Sequence, residues 1–388
     1  MRVLCTTLPA CGHFFPLVPL SRALMDRGHT VRVATAAEFH TDVRAAELTP
    51  VPAGWCLKKL RSELERRLVG EDVRLSPGRA AARMFSEIAP RAMLTDLLSI
   101  AAGWRPEVIL HEEGEYAAPL LAALVGVPNV CVTWPAPSRP LADLERLERA
   151  LTPLWDSYAL PVSRFGGLFN HLHLDCCPVS LQVDAPWSID RLALRPGLYA
   201  GVAKDCDNGW TRGLGDRDTV YVTLGTVANY NGASETFQAV IQAIDRAGFQ
   251  AVVTCGESND ASVCGAVRKS ITVRQYVPQS AVLPHCIAVV CHGGAGTTMG
   301  ALAHGLPVLV LPQGAASQQR MAEACKLSGA GRVLAPADVS SDSVLRELGE
   351  LLTRPGFRAA ATAIRAEIRD MPEASAGAQA IEALIAKR

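Results

Sequence analysis

The sequence Ile287-Ala-Val-Val-Cys-His-Gly-Gly-Ala-Gly-Thr-Thr298 is an apolar, strand-like run that turns into a glycine-rich loop, and residues 299–304 continue in helical register. In such a strand-to-helix turn, backbone N–H groups at the positive end of the helix dipole can bind an anion. Glycine suits the turn because a Cβ would hold phosphate oxygens away from the backbone. The stretch therefore predicts an anion-binding turn, although a tight turn without a ligand would give the same pattern.

The same region carries no charged side chain between Arg274 and Arg320. The chain has 38 basic and 38 acidic residues among 388, so about nine charges would be expected over 45 residues at the average density. A formal net charge of zero disfavours a nucleic-acid partner. The uncharged stretch is therefore either deeply buried or binds a ligand without ionic help.

Strand-like and helix-like segments alternate in two series along the chain, which predicts parallel sheets covered on both faces. The first series has strands at Val3–Leu8, Thr30–Thr35, Glu107–His111 and Asn129–Thr133 and a helix at Ala117–Val125. The second has strands at Thr219–Leu224, Phe249–Thr254, Ile287–Cys291 and Pro307–Leu311 and a helix at Ser234–Gly248. We expect an α/β protein of two Rossmann-like, doubly wound domains that face each other across a cleft, with ligands at the carboxyl ends of the strands.

The predicted boundaries follow the change in composition between the two series. Residues 1–190 form the first domain and residues 216–370 the second, joined by a linker at 191–215 within a stretch rich in Pro, Gly and Asp. Residues 371–388 form a C-terminal helix that is free to cross back to the first domain.

Neither a signal peptide nor a membrane helix is expected. The uncharged residues 117–138 are interrupted by prolines well before the ~20 apolar residues that a membrane span needs. Twelve cysteines are scattered without a Cys-x-x-Cys pair, which is typical of buried small hydrophobes in a reducing cytoplasm. We therefore expect a cytoplasmic protein; a homodimer is compatible with the sequence.

Two other chemistries are disfavoured by spacing. The glycines at 294, 296 and 300 approximate a dinucleotide fingerprint, but the acid expected ~20 residues later to hold the ribose is missing, and the first acid is Glu323. The triplets Asp205-Cys-Asp207 and Asp216-Arg-Asp218 lie in the linker or before a strand rather than after one, and no His/Cys cluster has zinc spacing. We predict no metal and no cofactor other than the co-substrate.

Six segments, spread in the right order over most of the chain, resemble one family. Tyr276-Val-Pro-Gln279, the loop His292–Thr298 and Gly305-Leu-Pro-Val-Leu-Val-Leu-Pro-Gln313-Gly are similar to the donor-binding signature of nucleotide-sugar glycosyltransferases of the GT-B fold, family 1. Gly12-His-Phe-Phe-Pro-Leu17 and Pro106–Glu112 with Gly126-Val-Pro128 resemble the same family, most of all the bacterial enzymes that decorate natural products.

The resemblance implies that the second domain binds the nucleotide-sugar donor. The base would stack on Tyr276 and meet backbone groups of Val277, and the diphosphate would be held by His292, Thr226 and loop amides. A hydroxyl after a strand-terminal glycine is also a common turn former. The full donor-binding set that the resemblance implies is Gly225, Thr226, Tyr276, Val277, Gln279, His292, Gly294, Ala295, Gly296, Thr297, Gln313 and Gln318.

Two positions depart from the family pattern. Where many members carry an acid for the ribose hydroxyls this chain has Gly300, and where many carry Asp-Gln for the sugar hydroxyls it has Ala315-Ala-Ser-Gln318. In those members, the carboxylates that this chain lacks would accept hydrogen bonds from a ribose 2′-hydroxyl and from the hydroxyls of a fully hydroxylated hexose. We therefore expect a thymidine diphosphate deoxysugar rather than uridine diphosphate glucose as the donor.

Inverting transfer needs a base that takes the acceptor proton, and a histidine, with an ordinary pKa of ~6.5, suits that role. The resemblance implies that His13, in the loop after the first strand, is this base. The orienting Asp of the family matches Glu112, with Glu113 beside it as the alternative. Both carboxylates could instead be solvated at a strand end.

The resemblance implies that the first domain binds the acceptor, a hydrophobic natural-product alcohol. Five of the six tryptophans fall in the first 190 residues, and aromatic side chains suit an apolar ligand, although core packing would explain most of them equally well. The predicted acceptor-binding residues are Phe14, Trp55, Phe85 and Trp134.

Two further function classes stay open. A non-catalytic helper protein could keep the fold and the nucleotide site, but it would be expected to lose the base. A nucleotide-sugar epimerase or hydrolase would need no apolar acceptor half. The predicted partners are thus two small molecules, a nucleotide-sugar donor and a hydrophobic acceptor, with neither nucleic acid nor membrane.

Overall fold

The structure, a computed structural model, describes residues 1–69, 77–183, 190–199, 201, 211, 214, 217–225, 233–256, 261–265 and 267–387. Thr226, the Asp205–Asp207 triplet and most of the predicted linker lie outside the described residues. The chain divides into two compact units. The first comprises Met1–Cys177, Asp184–Gly201 and Met371–Arg388, and the second comprises Pro178–Val183 and Val202–Asp370.

The first unit is built on a seven-stranded parallel sheet. Its strands are β1 (Arg2–Thr6), β2 (Thr30–Thr35), β3 (Thr49–Pro52), β4 (Val108–Glu112), β5 (Asn129–Val132), β6 (Leu172–Asp175) and β7 (Leu192–Ala193). They lie in the order β3-β2-β1-β4-β5-β6-β7. The chain order reverses between β1 and β4, so the carboxyl ends of these two strands form the switch point where doubly wound sheets bind ligands.

Helices cover both faces of this sheet. They are α1 (Cys11–Phe14), α2 (Val18–Asp26), α3 (His40–Ala45), α4 (Leu57–Leu68), α5 (Pro77–Arg83), α6 (Ala89–Trp104), α7 (Ala117–Val125) and α8 (Leu141–Asp156). Side chains of successive strand residues point to opposite faces. Val3 and Cys5 accordingly enter one core, and Leu4 enters the core on the other face.

The second unit repeats the design with six parallel strands. These are β8 (Thr219–Thr223), β9 (Gln250–Thr254), β10 (Ile271–Arg274), β11 (Ala288–Cys291), β12 (Val308–Val310) and β13 (Gly331–Val333), in the order β10-β9-β8-β11-β12-β13. Its helices are α9 (Ala233–Ala247), α10 (Gln279–Val282), α11 (Ala295–Ala303), α12 (Ala316–Leu327), α13 (Ser341–Thr353) and α14 (Pro355–Asp370).

The last helix, α15 (Ala374–Ala386), belongs to the first unit. Gly377 allows close packing, because a Cβ there would lie 3.1 Å from a methyl group of Leu20 and 3.1 Å from one of Leu194. Glu382 adds ion pairs at 2.6 Å to Arg27 and 2.7 Å to His29. A small apolar contact and a charged cluster thus hold the C-terminus against α2 and the turn that follows it.

The expectation of two doubly wound α/β domains is confirmed. Five short strands were not predicted, namely β3, β6, β7, β10 and β13. The predicted linker is wrong in its first residues, because Leu192 and Ala193 form the short strand β7. Among the described residues no helix has the length and apolar character needed to cross a membrane.

Candidate active site

His13 and Glu112 meet at the switch point of the first sheet. Because β1 and β4 are neighbouring parallel strands, α1 after β1 and the last residue of β4 lie at the same edge. The Nδ1 atom of His13 is 2.8 Å from Oε1 of Glu112. The Glu112 side chain is fully buried, and that of His13 is 15% exposed. The carboxylate therefore fixes the ring through Nδ1, and Nε2 makes no hydrogen bond to the residues that the structure describes.

Gly114 closes the turn around this pair. Its N–H donates to Oε2 of Glu112, so both carboxylate oxygens are used. A Cβ at Gly114 would lie 2.8 Å from Cζ2 of Trp134, 2.9 Å from Oε2 of Glu112 and 3.1 Å from Cε1 of His13. The absence of a side chain at Gly114 is thus a condition for the arrangement.

Two aromatic side chains flank the His13 ring. Trp134 packs edge-on, with ring centroids 4.9 Å apart and an interplanar angle of 83°, and the Phe85 centroid is 5.7 Å away. Both were predicted to bind the acceptor, and the structure brings both to the predicted base.

Glu113 has a different partner from Glu112. It accepts from the backbone N–H of Trp134 at 3.0 Å and pairs with Nε of Arg139 at 3.2 Å. Arg139 also donates to the Tyr116 hydroxyl at 2.8 Å. The choice between the two neighbouring acids is therefore resolved: Glu112 pairs with His13, and Glu113 anchors the segment that carries Trp134.

A third acid, Glu115, lies deeper and was not predicted. Its carboxyl accepts from the Thr6 hydroxyl at 2.6 Å and from the amides of Ala117 and Ala118 at 2.7 and 3.1 Å. Burial raises the pKa of Glu115 to about 7. Glu115 thus joins the end of β1 to the first turn of α7, behind the His13–Glu112 pair. The acid-rich run after β4 was the available signal for this residue.

His111 is a structural histidine. Its Nε2 is 3.0 Å from the Asn129 side-chain nitrogen, and its Nδ1 is 3.1 Å from the carbonyl oxygen of Glu112. Burial lowers the pKa of His111 to about 4. The ring is therefore neutral near pH 7, and it is held on the strand β4 rather than offered to a ligand.

The other two residues predicted to bind the acceptor are not at His13. Phe14 is wrong as an acceptor contact, because its side chain is completely buried in the core and packs edge-on against Phe39. Trp55 lies under Lys59, whose ammonium is 4.0 Å from the ring centroid. It packs on the small apolar cluster that Phe85 also contacts. Trp55 therefore shares a cluster with Phe85, which itself contacts the ring of His13.

In the second unit, the ring of His292 is enclosed by glycines. A Cβ at Gly225 would lie 2.8 Å from Nε2 of His292, and one at Gly294 would lie 2.5 Å from the same atom. Gly225 and Gly293 have φ values of 94° and 83°, which glycine adopts without strain. Loss of hydration lowers the pKa of His292 to about 4, so the ring is neutral and presents a single N–H donor near pH 7.

The loop leads directly into α11, as the sequence predicts. Helix α11 begins at Ala295 after the N-cap Gly294. The amides of Ala295, Gly296 and Thr297 belong to its first turn, where N–H groups have no partner within the helix. Gly296 is exposed, and a Cβ there would meet no atom within 4 Å. Three amides at the positive end of a helix are thus available to an anion.

Four of the remaining residues predicted to bind the donor form two hydrogen-bonded pairs. Nε2 of Gln279 donates to the Thr297 hydroxyl at 2.8 Å, and Oε1 of Gln318 accepts from the Gln313 amide at 2.8 Å. Tyr276 is half-buried, and Val277, whose backbone was the predicted contact, is buried just before α10. Among the described residues, no group of three or more His, Cys, Asp or Glu side chains is arranged to hold a metal ion.

The chain is similar to proteins of known activity. Residues 238–384 match the model of the erythromycin biosynthesis protein CIII-like C-terminal domain. The L-demethylnoviosyl transferase of Streptomyces niveus is 31% identical over 362 residues, which cover 92% of this chain and 90% of that protein. The TDP-daunosamine transferase DnrS of Streptomyces peucetius is 27% identical over 427 residues, which cover 100% of this chain and 97% of that protein.

Solved structures give the same result. The spinosyn forosaminyltransferase SpnP superposes with a TM-score of 0.80 at 26% identity, over 100% of this chain and 99% of that one. The spinosyn rhamnosyltransferase SpnG, complexed with spinosyn aglycone, gives 0.78 at 27% identity, over 98% and 100%.

The two doubly wound units and the similarity to these transferases define a glycosyltransferase of the GT-B class. Within that class, the chain belongs to the family of bacterial antibiotic glycosyltransferases, and it is an enzyme of that kind.

Proposed function

We propose that this enzyme transfers a deoxysugar from a thymidine diphosphate donor to a hydroxyl of an apolar natural product, with inversion, and that His13 is the general base. The observation that carries the proposal is the buried His13–Glu112 pair, 2.8 Å between Nδ1 and Oε1. A carboxylate on Nδ1 keeps the proton of the neutral ring on that nitrogen and leaves Nε2 to accept another, as in hydrolytic triads.

In the proposed step, the acceptor oxygen forms a bond to the anomeric carbon while the bond from that carbon to the diphosphate oxygen breaks. The acceptor proton moves to Nε2 of His13, and the electron pair of the broken bond leaves with the nucleoside diphosphate. Glu112 stabilises the imidazolium that results. The fully buried carboxylate, with its second oxygen on the Gly114 amide, is suited to that role because it cannot turn away from the ring.

The leaving diphosphate would be stabilised by fixed dipoles. The first-turn amides of α11 and the neutral His292 ring supply donors that need no rearrangement as charge develops. No metal and no additional cofactor is required by this scheme. The absence of Lys and Arg from residues 275–319 fits a site that uses dipoles rather than cations.

Two arguments support a thymidine diphosphate deoxysugar as the donor. The positions where many family members carry carboxylates for ribose and sugar hydroxyls are Gly300 and Ala315-Ala-Ser in this chain. The related transferases named above act, by their names, on demethylnoviose, TDP-daunosamine and forosamine. A site with fewer carboxylate acceptors matches donors with fewer hydroxyl groups.

The acceptor side is proposed to be apolar because Trp134 and Phe85 flank the base. Their rings lie 4.9 and 5.7 Å from that of His13. Aromatic walls favour a large, flat or macrocyclic alcohol, and only its reacting hydroxyl needs to reach the imidazole.

The test is a donor and acceptor screen read by mass spectrometry. The purified enzyme is incubated with thymidine diphosphate deoxysugars and with uridine diphosphate glucose, each with and without a panel of apolar alcohols. We expect a glycoside that requires a deoxysugar donor and an alcohol. His13→Ala should abolish its formation while the variant still binds thymidine diphosphate in a calorimetric titration.

Other outcomes would overturn specific parts. Faster turnover of uridine diphosphate glucose would refute the donor assignment. Donor consumption that does not depend on an alcohol would indicate a hydrolase or epimerase. Unchanged turnover by His13→Ala would eliminate the base assignment.

A further inference from the structure

The side chain of Gln279 makes an unusual contact for a residue expected to bind the donor. It projects from the start of the short helix α10, and its Nε2 donates to the hydroxyl of Thr297 in the first turn of α11, with 2.8 Å between the heavy atoms. Thr297 is 9% exposed. The amide nitrogen of Gln279 is therefore directed at another protein side chain.

Gly300 makes room for this amide. A Cβ at Gly300 would lie 2.9 Å from Oε1 of Gln279, closer than Cβ atoms approach oxygens in proteins. Any other residue at this position would have to displace the Gln279 side chain or the helix. The glycine that replaces the acid found in many family members thus has a structural consequence: it lets the amide lie against α11.

The contact sets the polarity of the Thr297 hydroxyl. A hydroxyl has one hydrogen to donate and two lone pairs to accept. Because one lone pair is taken by the Gln279 amide, the O–H bond must point elsewhere, and among the described residues it has no acceptor. The neighbouring amides of Ala295 and Gly296 also present hydrogens at this end of α11. The amides of Ala295 and Gly296 and the Thr297 hydroxyl therefore present donors at this end of α11, the polarity that an anion requires.

We propose that Gln279 is a positioning residue: it holds the Thr297 hydroxyl as a donor toward the diphosphate of the sugar nucleotide and does not bind that ligand itself. This inference rests on the proposed function, which places the diphosphate at the start of α11. A hydroxyl that was free to rotate would spend part of its time with a lone pair toward the phosphate, and binding would then have to reorient it. Gln279 removes that cost before the donor arrives.

A double-mutant cycle separates positioning from direct binding. The affinity for thymidine diphosphate is measured by calorimetry in the wild type, Gln279→Met, Thr297→Val and the double variant. Hydrogen bonds to charged groups are worth more than neutral ones, so Thr297→Val should weaken binding about 10- to 150-fold and Gln279→Met about 2- to 10-fold. In the Thr297→Val background, Gln279→Met should cause no further loss, because no hydroxyl remains to be oriented.

Equal losses from Gln279→Met in both backgrounds would overturn the inference, since they would mean that Gln279 contacts the ligand directly. Gly300→Ala provides a second route to the same result, because its Cβ displaces the amide. It should also weaken binding, and the loss should also vanish in the Thr297→Val background. Gln242→Met, on the exposed face of α9, is the matched control for an amide-to-thioether change and should bind as the wild type does.

Thermal melts of every variant identify those that fail to fold. If Gln279→Met fails to fold, Gly300→Ala takes its place in the cycle, and the reverse holds if Gly300→Ala fails. The failure of the proposed function has a different signature. A folded wild-type protein that does not bind thymidine diphosphate at all would refute the proposed donor, whatever the variants do.

Discussion

Replacing Glu112 by glutamine tests the proposed base without changing the size of a buried side chain. In the wild type, one carboxylate oxygen is 2.8 Å from Nδ1 of His13 and the other accepts from the amide of Gly114. Glutamine has one acceptor and one donor end where glutamate has two acceptors. The outcome depends on which end faces His13.

The Gly114 amide determines that orientation. With the amide oxygen on Gly114, the NH₂ group faces Nδ1, and the imidazole must move its proton to Nε2, the atom that should accept the substrate proton. With the ends reversed, NH₂ faces the buried N–H of Gly114, which costs about 1–3 kcal/mol for an unsatisfied donor. The productive tautomer of His13 is thereby reduced about 5- to 150-fold, since ~1.4 kcal/mol is a factor of ten.

A second loss comes from the missing charge. In the proposed mechanism the carboxylate stabilises the imidazolium that forms during transfer. A hydrogen bond to a charged group is worth about 1.5–3 kcal/mol, or a further 10- to 150-fold in rate. We therefore expect Glu112→Gln to lower kcat by about two to four orders of magnitude. The affinity for the nucleotide donor should be unchanged.

The assay is the initial rate of glycoside formation at saturating donor and acceptor, with the donor affinity measured separately by calorimetry. Glu107→Gln is the matched control, because Glu107 precedes the same strand at its opposite end and is 42% exposed beside Arg2. Glu112→Asp keeps the charge but is shorter by one methylene, so its rate should lie between those of the wild type and Glu112→Gln. A Glu112→Gln enzyme that retained a third or more of the wild-type kcat would refute the pairing argument.

Three further substitutions have defined outcomes. Gly114→Ala should reduce kcat by at least about tenfold, because its Cβ would meet the base pair and the flanking indole within 3.1 Å; steady-state rates check this. Gly294→Ala should weaken thymidine diphosphate binding in calorimetry, because its Cβ would lie 2.5 Å from the imidazole of His292. Burial raises the pKa of Glu115 from 4.5 to about 7, so the folded chain retains a proton that the unfolded chain loses, and this stabilisation is present below pH 4.5 and lost as the pH rises through 7. Thermal melts from pH 5 to 8 should accordingly show the wild type losing stability relative to Glu115→Gln.

Much of the fold could be predicted because the central strands are continuous apolar runs bounded by Gly and Pro. β2 and α7 have the predicted bounds, Thr30–Thr35 and Ala117–Val125. The missed strands are short, with at most four residues each, and the sequences of two of them resemble loops. β3 reads Thr-Pro-Val-Pro with no buried residue, and β13 reads Gly-Arg-Val. Such segments become strands because a neighbouring strand pairs with them, which local sequence does not encode.

The sequence motifs of the candidate site could be predicted, but not which of its side chains contact one another. His13 and the loop at His292 follow central strands whose carboxyl ends are predictable. Glu112 and Glu113 could not be distinguished, because both faces of a doubly wound sheet are buried and both acids are compatible with burial. The choice depends on which face α1 covers. The predicted contact of Phe14 failed for the same reason: the residue next to His13 points into the core.

The glycines of the loop from His292 to Thr298 divide into two kinds: those that the fold requires, and Gly296, which only a ligand would require. Gly293 has a positive φ and Gly294 lies against an imidazole, so the protein itself requires them. Gly296 has neither constraint, since it lies within α11, outside the left-handed region, with no atom within 4 Å of a Cβ. Alanine is preferred to glycine in helices by up to ~1 kcal/mol. Gly296→Ala should therefore leave the free energy of unfolding, and with it the melting temperature, unchanged or raised. If the glycine lets phosphate approach the backbone, the same change should weaken thymidine diphosphate binding about tenfold or more. Stability would then be unchanged or higher while affinity falls, and a melt and a titration on one sample measure both. A variant that became more stable and bound the nucleotide as tightly as before would show that the diphosphate does not approach this amide.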